Sequence, residues 1–353
     1  MPLILTNKIM TGNRDKIVWL SILQGFTMLL VVIGHSDLNR KFDSGFEAIG
    51  FIYKYFHPFR MQLFILISGY LFQKTKISRN KSFGNVISDK SKRLLIPFLA
   101  FTIIAYFMKI CFASLIKNPV NNSFYEFFLY PGKNPLSALW FIDITFMLMM
   151  LYPLYKFVLT KKNYTILFTL LCAALYYLFP KDIELFCFSS AASLIIFFWI
   201  GILLAEKKGD KIFENRLVFT LSFIIYSIII VFSYIKGYDS HNLITSLLGI
   251  TWAISMSKIL SKTRPGTFIT FRNNTYQIFL LSIFPQMAIE IIYRVTGSHY
   301  FFAFYISNIL IGLYIPVLIA AIIKALKLKY LYMIIGLSIT DKPIKNKIQE
   351  MPV

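Results

Sequence analysis

Residues 20–36 read LSILQGFTMLLVVIGHS, an apolar run that leads directly into a Gly-His pair. A run of this length and composition predicts a membrane-spanning helix. Gln24 and His35 are eleven residues apart, so on an α-helix they share one face and lie roughly 16 Å apart along the axis. A polar stripe on this helix would therefore join the two sides of a bilayer.

The composition of the whole chain extends this prediction. Hydrophobic residues make up 57% of the 353 residues and charged residues only 15%, whereas soluble domains typically carry about 25% charged residues. We therefore predict an all-α, polytopic membrane helix bundle. Hydropathy indicates about ten transmembrane helices, at residues 17–36, 55–73, 94–116, 137–158, 163–179, 185–206, 216–235, 241–260, 275–296 and 301–326.

The distribution of positive charge predicts the orientation of the bundle. If the N-terminus is cytoplasmic, 27 of the 37 Lys and Arg residues fall on the cytoplasmic side, as the positive-inside rule requires. An even number of spans then places both termini in the cytoplasm. The net charge of +21 is scattered over short loops, which argues against a nucleic-acid-binding surface and makes the lipid bilayer the expected partner.

We expect one membrane domain at residues 17–326, a cytoplasmic N-terminal segment at 1–16 and a basic cytoplasmic tail at 327–353. The three cysteines all fall inside predicted spans. Their spacing matches neither a disulfide framework nor a metal site, so we expect no metal cofactor.

Ionisable residues inside spans are costly and are therefore functional candidates. His35 can accept a proton from a hydroxyl group near neutral pH. The alternative is a histidine at the level of the lipid headgroups that has no catalytic role. Asp143 enters its span to a similar depth and needs a partner, for which His35 and Arg60 are the candidates. A purely structural pair is the alternative for Asp143.

Two groups of basic residues are candidate binding sites. Arg60 lies with His57 at the outer mouth of the second predicted span, where an arginine can contact a sugar, a carboxylate or a developing oxyanion. It can equally serve as an interfacial anchor. Lys90, Lys92 and Arg93 precede the third span on the cytoplasmic side and can hold phosphates, but ordinary positive-inside charge explains them as well.

Four short motifs follow one another along the chain. They are Trp19-Leu20 with Gly25 and Gly34-His35, Phe59-Arg60-Met61 with Ser68-Gly69-Tyr70, Lys90-x-x-Arg93-Leu94-Leu95-Ile96-Pro97, and Leu139-Trp140-Phe141. In this order they resemble the acyltransferase 3 family. These bacterial membrane proteins, which include fucose 4-O-acetylase-like enzymes, acylate cell-surface sugars with a cytosolic acyl-CoA.

The resemblance implies roles for individual residues. In the family the histidine of the first span is regarded as catalytic, which implies this role for His35. The paired basic residues before the third span imply that Lys90 and Arg93 help to bind the acyl donor. Among the departures from the family, Gln24 stands where an arginine or lysine is usual, and Ser282 stands where a second histidine is frequent.

We therefore predict an O-acyltransferase, most simply an O-acetyltransferase, of the bacterial cytoplasmic membrane. It would transfer an acyl group from cytosolic acyl-CoA, most simply acetyl-CoA, to a hydroxyl of a lipid-linked or cell-surface polysaccharide. A transporter or exporter of a small acid or glycolipid, and a non-catalytic member of the family, are the alternatives.

In the predicted mechanism the acyl thioester is already activated, so the enzyme needs positioning and a base. His35 deprotonates the sugar hydroxyl or is transiently acylated itself. Arg60 stabilises the oxyanion, and Asp143 holds His35 in one tautomer. The remaining candidates, Gln24, Lys90, Lys92 and Arg93, bind the acyl donor. The CoA phosphates contact the three basic residues, and the pantetheine arm passes Gln24 on the first helix.

Overall fold

The computed structural model describes residues 3–37, 42, 46–111, 113, 123–133, 139–206 and 209–337. Over these residues the chain forms helices joined by turns and short connections, and this described part contains no β-strand. The all-α fold predicted from the sequence is confirmed. The basic segment 342–347 of the predicted tail lies outside the described residues.

The helices follow one another in a simple order along the chain. They are α1 (Leu3–Gly34), α2 (Glu47–Phe72), α3 (Phe83–Lys90), α4 (Ile96–Cys111), α5 (Glu126–Leu129), α6 (Trp140–Met150), α7 (Tyr152–Val158), α8 (Lys162–Leu178), α9 (Phe188–Glu206), α10 (Arg216–Lys236), α11 (Leu243–Thr263), α12 (Ile269–Arg272), α13 (Thr275–Leu281), α14 (Ile283–Val295), α15 (Phe301–Ala325) and α16 (Lys329–Ile334). Two π-helical turns, Gln73–Ile77 and Ser91–Leu95, flank α3.

Five helices of the described residues are long and apolar enough to cross a membrane, or seven if each of two bent pairs forms one span. The five are Phe83–Cys111, Leu185–Glu206, Arg216–Lys236, Leu243–Thr263 and Phe301–Ala325. The apolar part of α1 is shorter, and α2 and α8 are not in the set. A membrane protein is therefore supported, while the ten spans and the sides of the termini stay predictions.

The two bent pairs correct the prediction of continuous helices at 137–158 and 275–296. Helices α6 and α7 meet at an angle of 48°, and α13 and α14 at 40°. Pro153 is the second residue of α7 and Pro285 is the third residue of α14. A proline lacks the backbone N–H that would continue the hydrogen bonding of the preceding turn, so each helix breaks shortly before its proline.

Helices α1 and α2 run antiparallel through the core. The ring centre of Trp19, in the middle of α1, lies 5.6 Å from that of Tyr70, near the end of α2. At the opposite end, the guanidinium of Arg60 packs against Gly34. We refer to these ends by the residues that they hold, as the Lys90 end and the His35 end of the bundle.

Close backbone contact joins α2 to α9. A Cβ atom at Gly69 would overlap the backbone carbonyl of Phe198, and one at Gly201 would overlap the carbonyl of Leu66. Small residues allow helices to approach closely where lipid, rather than water, surrounds the bundle. Apolar side chains of α8, α10 and α15 are exposed, including Leu167, Ile228 and Leu318, as lipid-facing helices require.

Candidate functional site

A cavity of about 240 Å³ opens at the Lys90 end between α1, α2, α6 and α13. It is called the Gln24 cavity here. Its lining consists of Gln24, Thr27, Met28, Phe64, Ile67, Ser68, Leu71, Thr75, Lys90, Arg93, Leu94, Phe141, Ile142, Thr145, Met149, Thr275, Tyr276 and Phe279. The structure thus brings together three of the four residues that were predicted to bind an acyl donor.

Two cations stand at the mouth of the Gln24 cavity. The Lys90 ammonium lies 5.6 Å from the centre of the Phe72 ring, and the Arg93 guanidinium lies 5.8 Å from that of Tyr276. The Tyr276 hydroxyl donates a hydrogen bond of 2.8 Å to the Arg93 carbonyl. These ring contacts hold both charges beside the opening, where they can meet an anionic ligand.

Lys92, the remaining predicted donor-binding residue, does not line this cavity and is exposed. Helix α3 continues through the π-helical turn Ser91–Leu95 into α4, so the basic residues lie on helical turns rather than in a loop. Residues three apart share a face of a helix and residues two apart do not. Lys90 and Arg93 therefore face the opening together, whereas the donor-binding role of Lys92 stays a prediction without a place in this cavity.

The wall of the Gln24 cavity is apolar apart from Gln24 and a few hydroxyl groups. The hydroxyls of Thr27, Ser68 and Thr145 donate to carbonyls of their own helices at 2.7, 3.0 and 2.7 Å. The Gln24 amide makes no hydrogen bond to any residue that the structure describes. It can therefore bind the polar groups of a ligand that passes along α1.

Three phenylalanine rings close the cavity on the side that faces the His35 end. The ring centres of Phe64 and Phe141 are 4.8 Å apart, those of Phe64 and Phe279 are 5.6 Å apart, and those of Phe141 and Phe279 are 5.8 Å apart. Phe64 follows Arg60 by one turn of α2, which is roughly 6 Å along the axis. This phenylalanine cluster separates the Gln24 cavity from the region around Arg60.

At the His35 end the structure places Arg60 beside the predicted catalytic histidine. A Cβ atom at Gly34 would overlap the Arg60 guanidinium, so the guanidinium lies against the residue that precedes His35. Arg60 Nη2 donates to the Tyr53 hydroxyl at 3.4 Å, and the guanidinium stacks 4.8 Å from the centre of that ring. The His35 side chain is half-buried, which leaves part of it accessible to a ligand.

Asp143 does not take the place that was predicted for it. It forms neither an ion pair nor a hydrogen bond with His35, Arg60 or any other described residue, and its buried Oδ2 atom has no partner. The carboxylate stands in the first turn of α6, where unpaired backbone N–H groups and the helix dipole favour negative charge. The expectation that Asp143 pairs with His35 or Arg60 is therefore wrong for this structure.

A buried polar cluster fixes the end of α1 behind His35, and the sequence prediction missed it. Ser36, Gln286 and Asn308 have no exposed surface. Ser36 Oγ donates to Asn308 Oδ1 at 2.7 Å and accepts from Gln286 Nε2 at 2.9 Å. Polar residues inside apolar spans are a signal that could have indicated this cluster. Ser282, one turn before Gln286, is also buried.

A second cavity, of about 470 Å³, lies near the His35 end. It is called the Gln62 cavity here. Its lining consists of His57, Met61, Gln62, Trp140, Tyr176, Tyr177, Lys181, Ser189, Ser190, Ser193, Leu194, His241 and Asn242. Neighbouring residues of two helices face different cavities, because Gln62 and Trp140 line this one whereas Phe64 and Phe141 line the other. Helices α2 and α6 therefore contribute to the walls of both cavities.

The Gln62 cavity contains a histidine that the sequence prediction did not select. His241 Nε2 lies 3.1 Å from the Gln62 side-chain nitrogen, and the ring centres of His241 and His57 are 5.3 Å apart. Burial lowers the pKa of His241, the positive charges of Lys181 and Arg60 lower it further, and Asp239 opposes them. This lowered pKa favours the neutral imidazole, which can accept as well as donate a hydrogen bond.

The described residues contain no group of three or more His, Cys, Asp or Glu side chains arranged to hold a metal ion. Comparison with known families gives one match: residues 17–326 match the acyltransferase domain family, acyltransferase 3. Comparisons with curated proteins and with solved structures gave no match.

Proposed function

The chain belongs to the acyltransferase 3 family, and we propose that it is a membrane O-acyltransferase that carries an acyl group from one side of the membrane to the other. The donor is a cytosolic acyl-CoA, most simply acetyl-CoA. The acceptor is a hydroxyl group of a lipid-linked or cell-surface polysaccharide. In this proposal the protein resides in the bacterial cytoplasmic membrane, with the Lys90 end in the cytoplasm.

The observation that carries this proposal is the pair of cavities that share helices α2 and α6 as walls. One cavity has a cationic mouth formed by Lys90 and Arg93, and the other is lined by Met61 and Gln62, which follow Arg60 on α2. A phosphate-bearing donor and a sugar acceptor need two such entrances from opposite sides. They also need one place where the two substrates meet.

The donor is expected to bind along α1. Its phosphates would contact Lys90 and Arg93, and its amide-containing arm would pass the unpaired Gln24 amide. The rise of an α-helix places His35 roughly 16 Å beyond Gln24. The thioester would reach His35 when the phenylalanine cluster opens, so the cluster also excludes water from the donor while no acceptor is present.

Bond changes at His35 follow from the chemistry of a thioester. The imidazole takes the proton of the acceptor hydroxyl, and the oxygen attacks the acyl carbonyl. The Arg60 guanidinium would stabilise the resulting oxyanion. The carbon–sulfur bond then breaks, and the CoA thiolate leaves and takes up the proton from His35. In the other route the acyl group first forms a bond to the imidazole, and the sugar oxygen displaces it in a second step.

The test is the acylation of the surface polysaccharide in cells that carry the intact protein, no protein, His35→Ala or His299→Ala. His299 lies outside both cavities and serves as the matched control. We expect an acyl-sized mass increment with the intact protein and with His299→Ala, and its loss in the other two samples at matched membrane levels of protein. Equal polysaccharide masses in all four samples would refute the proposal and favour transport or a non-catalytic role.

A further inference from the structure

The Gln62 cavity contains a buried polar atom that has no partner. The Gln62 side chain is only 4% exposed, and its Oε1 atom has no hydrogen bond within the described residues. A buried acceptor without a partner costs free energy unless a ligand or water satisfies it. Because Gln62 lines the cavity, this orphaned atom points to a ligand that brings a hydrogen-bond donor.

The Gln62 side-chain amide keeps one unpaired polar atom in either of its two orientations. If the amide nitrogen donates to His241 Nε2, the carbonyl oxygen remains unpaired. If the amide is rotated, its oxygen accepts from His241 and its nitrogen remains unpaired. In both cases one polar atom of the pair is left for a ligand. A hydroxyl group both donates and accepts, so it satisfies either arrangement.

The remaining lining of the cavity suits a sugar. Trp140 and Tyr177 offer aromatic faces on which an apolar sugar face can stack, and Ser190 and Asn242 offer polar groups. Among the described lining residues Lys181 carries the one positive charge, and its ammonium is bonded to the Tyr176 carbonyl at 2.6 Å. A small polyhydroxylated ligand fits this set of groups better than an acyl chain or a lipid tail does.

Side-chain contacts also connect the Gln62–His241 pair to the residues around His35. Arg60 contacts Gly34, beside His35, and stacks on Tyr53. The Tyr53 ring lies 5.3 Å from that of His57, and the His57 ring lies 5.3 Å from that of His241. The contacts through His57, Tyr53 and Arg60 therefore lead from a ligand held by Gln62 to Gly34, the residue that precedes the predicted base.

We propose that Gln62 and His241 form the acceptor-binding pair of the enzyme, which holds a hydroxyl group of the sugar beside the one that is acylated. This inference rests on the proposed function and adds the site and the residues that bind the acceptor. Ser282 leaves this chain without the second histidine that is frequent in its family, and His241 supplies an imidazole from the connection between α10 and α11.

The experiment compares Gln62→Leu, His241→Phe and His241→Gln with the matched control His299→Phe. Polysaccharide acylation is measured by mass spectrometry at equal membrane levels, and the CoA-induced shift in melting temperature is measured on the purified proteins. We expect Gln62→Leu and His241→Phe to lower acylation about tenfold or more, because each leaves a polar group unpaired. His241→Gln, which keeps hydrogen-bonding groups, should retain most of the activity, as should His299→Phe.

The CoA shift separates the acceptor site from the donor site. All four variants should show the wild-type shift, which also reports that they are folded. Normal acylation by His241→Phe, equal losses in His241→Phe and His241→Gln, or loss of the CoA shift in Gln62→Leu would each overturn the acceptor pair. A wild-type protein that shows neither a CoA shift nor acylation would refute the proposed function, and the pair with it.

Discussion

The basic residues at the Lys90 end allow a direct test of donor binding, because the adjacent cations Lys92 and Arg93 differ in whether they line the Gln24 cavity. Arg93 lines the Gln24 cavity and Lys92 does not, although both side chains are exposed. Lys90 lines the same cavity and is more buried. Replacing each by glutamine removes one positive charge while keeping a polar side chain. The three variants should therefore differ through the position and the exposure of the charge that each of them loses.

The expected sizes of the effects follow from exposure. A hydrogen bond to a charged group contributes about 1.5–3 kcal/mol, and about 1.4 kcal/mol corresponds to a tenfold change in affinity. Solvent screens the exposed Arg93, so Arg93→Gln should weaken CoA binding about tenfold. The more buried Lys90 takes the upper part of the range, so Lys90→Gln should weaken it about 100-fold. Lys92→Gln acts only through screened, long-range attraction and should change it less than about twofold.

The assay is titration of CoA into the detergent-purified variants, followed by the KM for acyl-CoA in membranes. Added salt should shrink the effects of Arg93→Gln and Lys90→Gln, because screening weakens the attraction that these substitutions remove. Equal effects of Lys92→Gln and Arg93→Gln would refute the reasoning. The donor would then respond to the net charge of the surface rather than to the mouth of the Gln24 cavity.

Three further perturbations test other parts of the structure. Gly34→Ala should lower kcat about 100-fold and leave the CoA-induced shift in melting temperature unchanged, because the added Cβ displaces the Arg60 guanidinium from the reaction centre. Gly84→Ala, where the added Cβ meets nothing within 4 Å, is the control. Equal kcat values for the two variants would contradict the placement of Arg60. Gly201→Ala should destabilise the protein by about 1–3 kcal/mol through overlap with a backbone carbonyl, seen as a lower melting temperature, and an unchanged value would show that the helices separate easily. The hydrogen-bonded ion pair with Lys262 at 2.7 Å lowers the pKa of Glu214, so the stability that this pair contributes is present above the ordinary carboxyl pKa and is lost as the pH falls through the lowered value. Below about pH 5 the melting temperature of the wild type should therefore fall more steeply than that of Glu214→Gln. Parallel curves for the two proteins would count against the pair.

Features that depend on short-range spacing could be predicted from the sequence. The apolar run before His35 predicted α1, and the helical rise placed Gln24 on a wall that a ligand can follow. The basic cluster and the family motif singled out Lys90 and Arg93, and their i, i+3 spacing, which the prediction did not use, brings both to one opening. These predictions need only the geometry of a single helix, so they are accessible without knowing how helices pack.

Features that depend on packing between distant segments could not be predicted. The partners Gln62 and His241 are 179 residues apart, and no pattern within either segment indicates that they meet. The expectation for Asp143 failed because depth in the membrane does not determine the direction of a side chain. Lys92 was grouped with Lys90 and Arg93 because the three are close in sequence, whereas the helical turn Ser91–Leu95 points neighbouring side chains in different directions.

The close contact of α2 with α9 has a mechanical consequence. Both helices contribute to the Gln62 cavity, and α2 also lines the Gln24 cavity. Because α2 and α9 pack backbone against backbone, we expect them to move as one rigid unit next to both cavities. Among the remaining wall helices, α6 lines both cavities and α13 lines the Gln24 cavity, and each is followed by a bend, next to Leu151 and Ser282 respectively. We expect the bent helices to move relative to the fixed pair α2 and α9. A cross-link between α2 and α9 should therefore leave acyl transfer intact, whereas one between α2 and α6 should stop it.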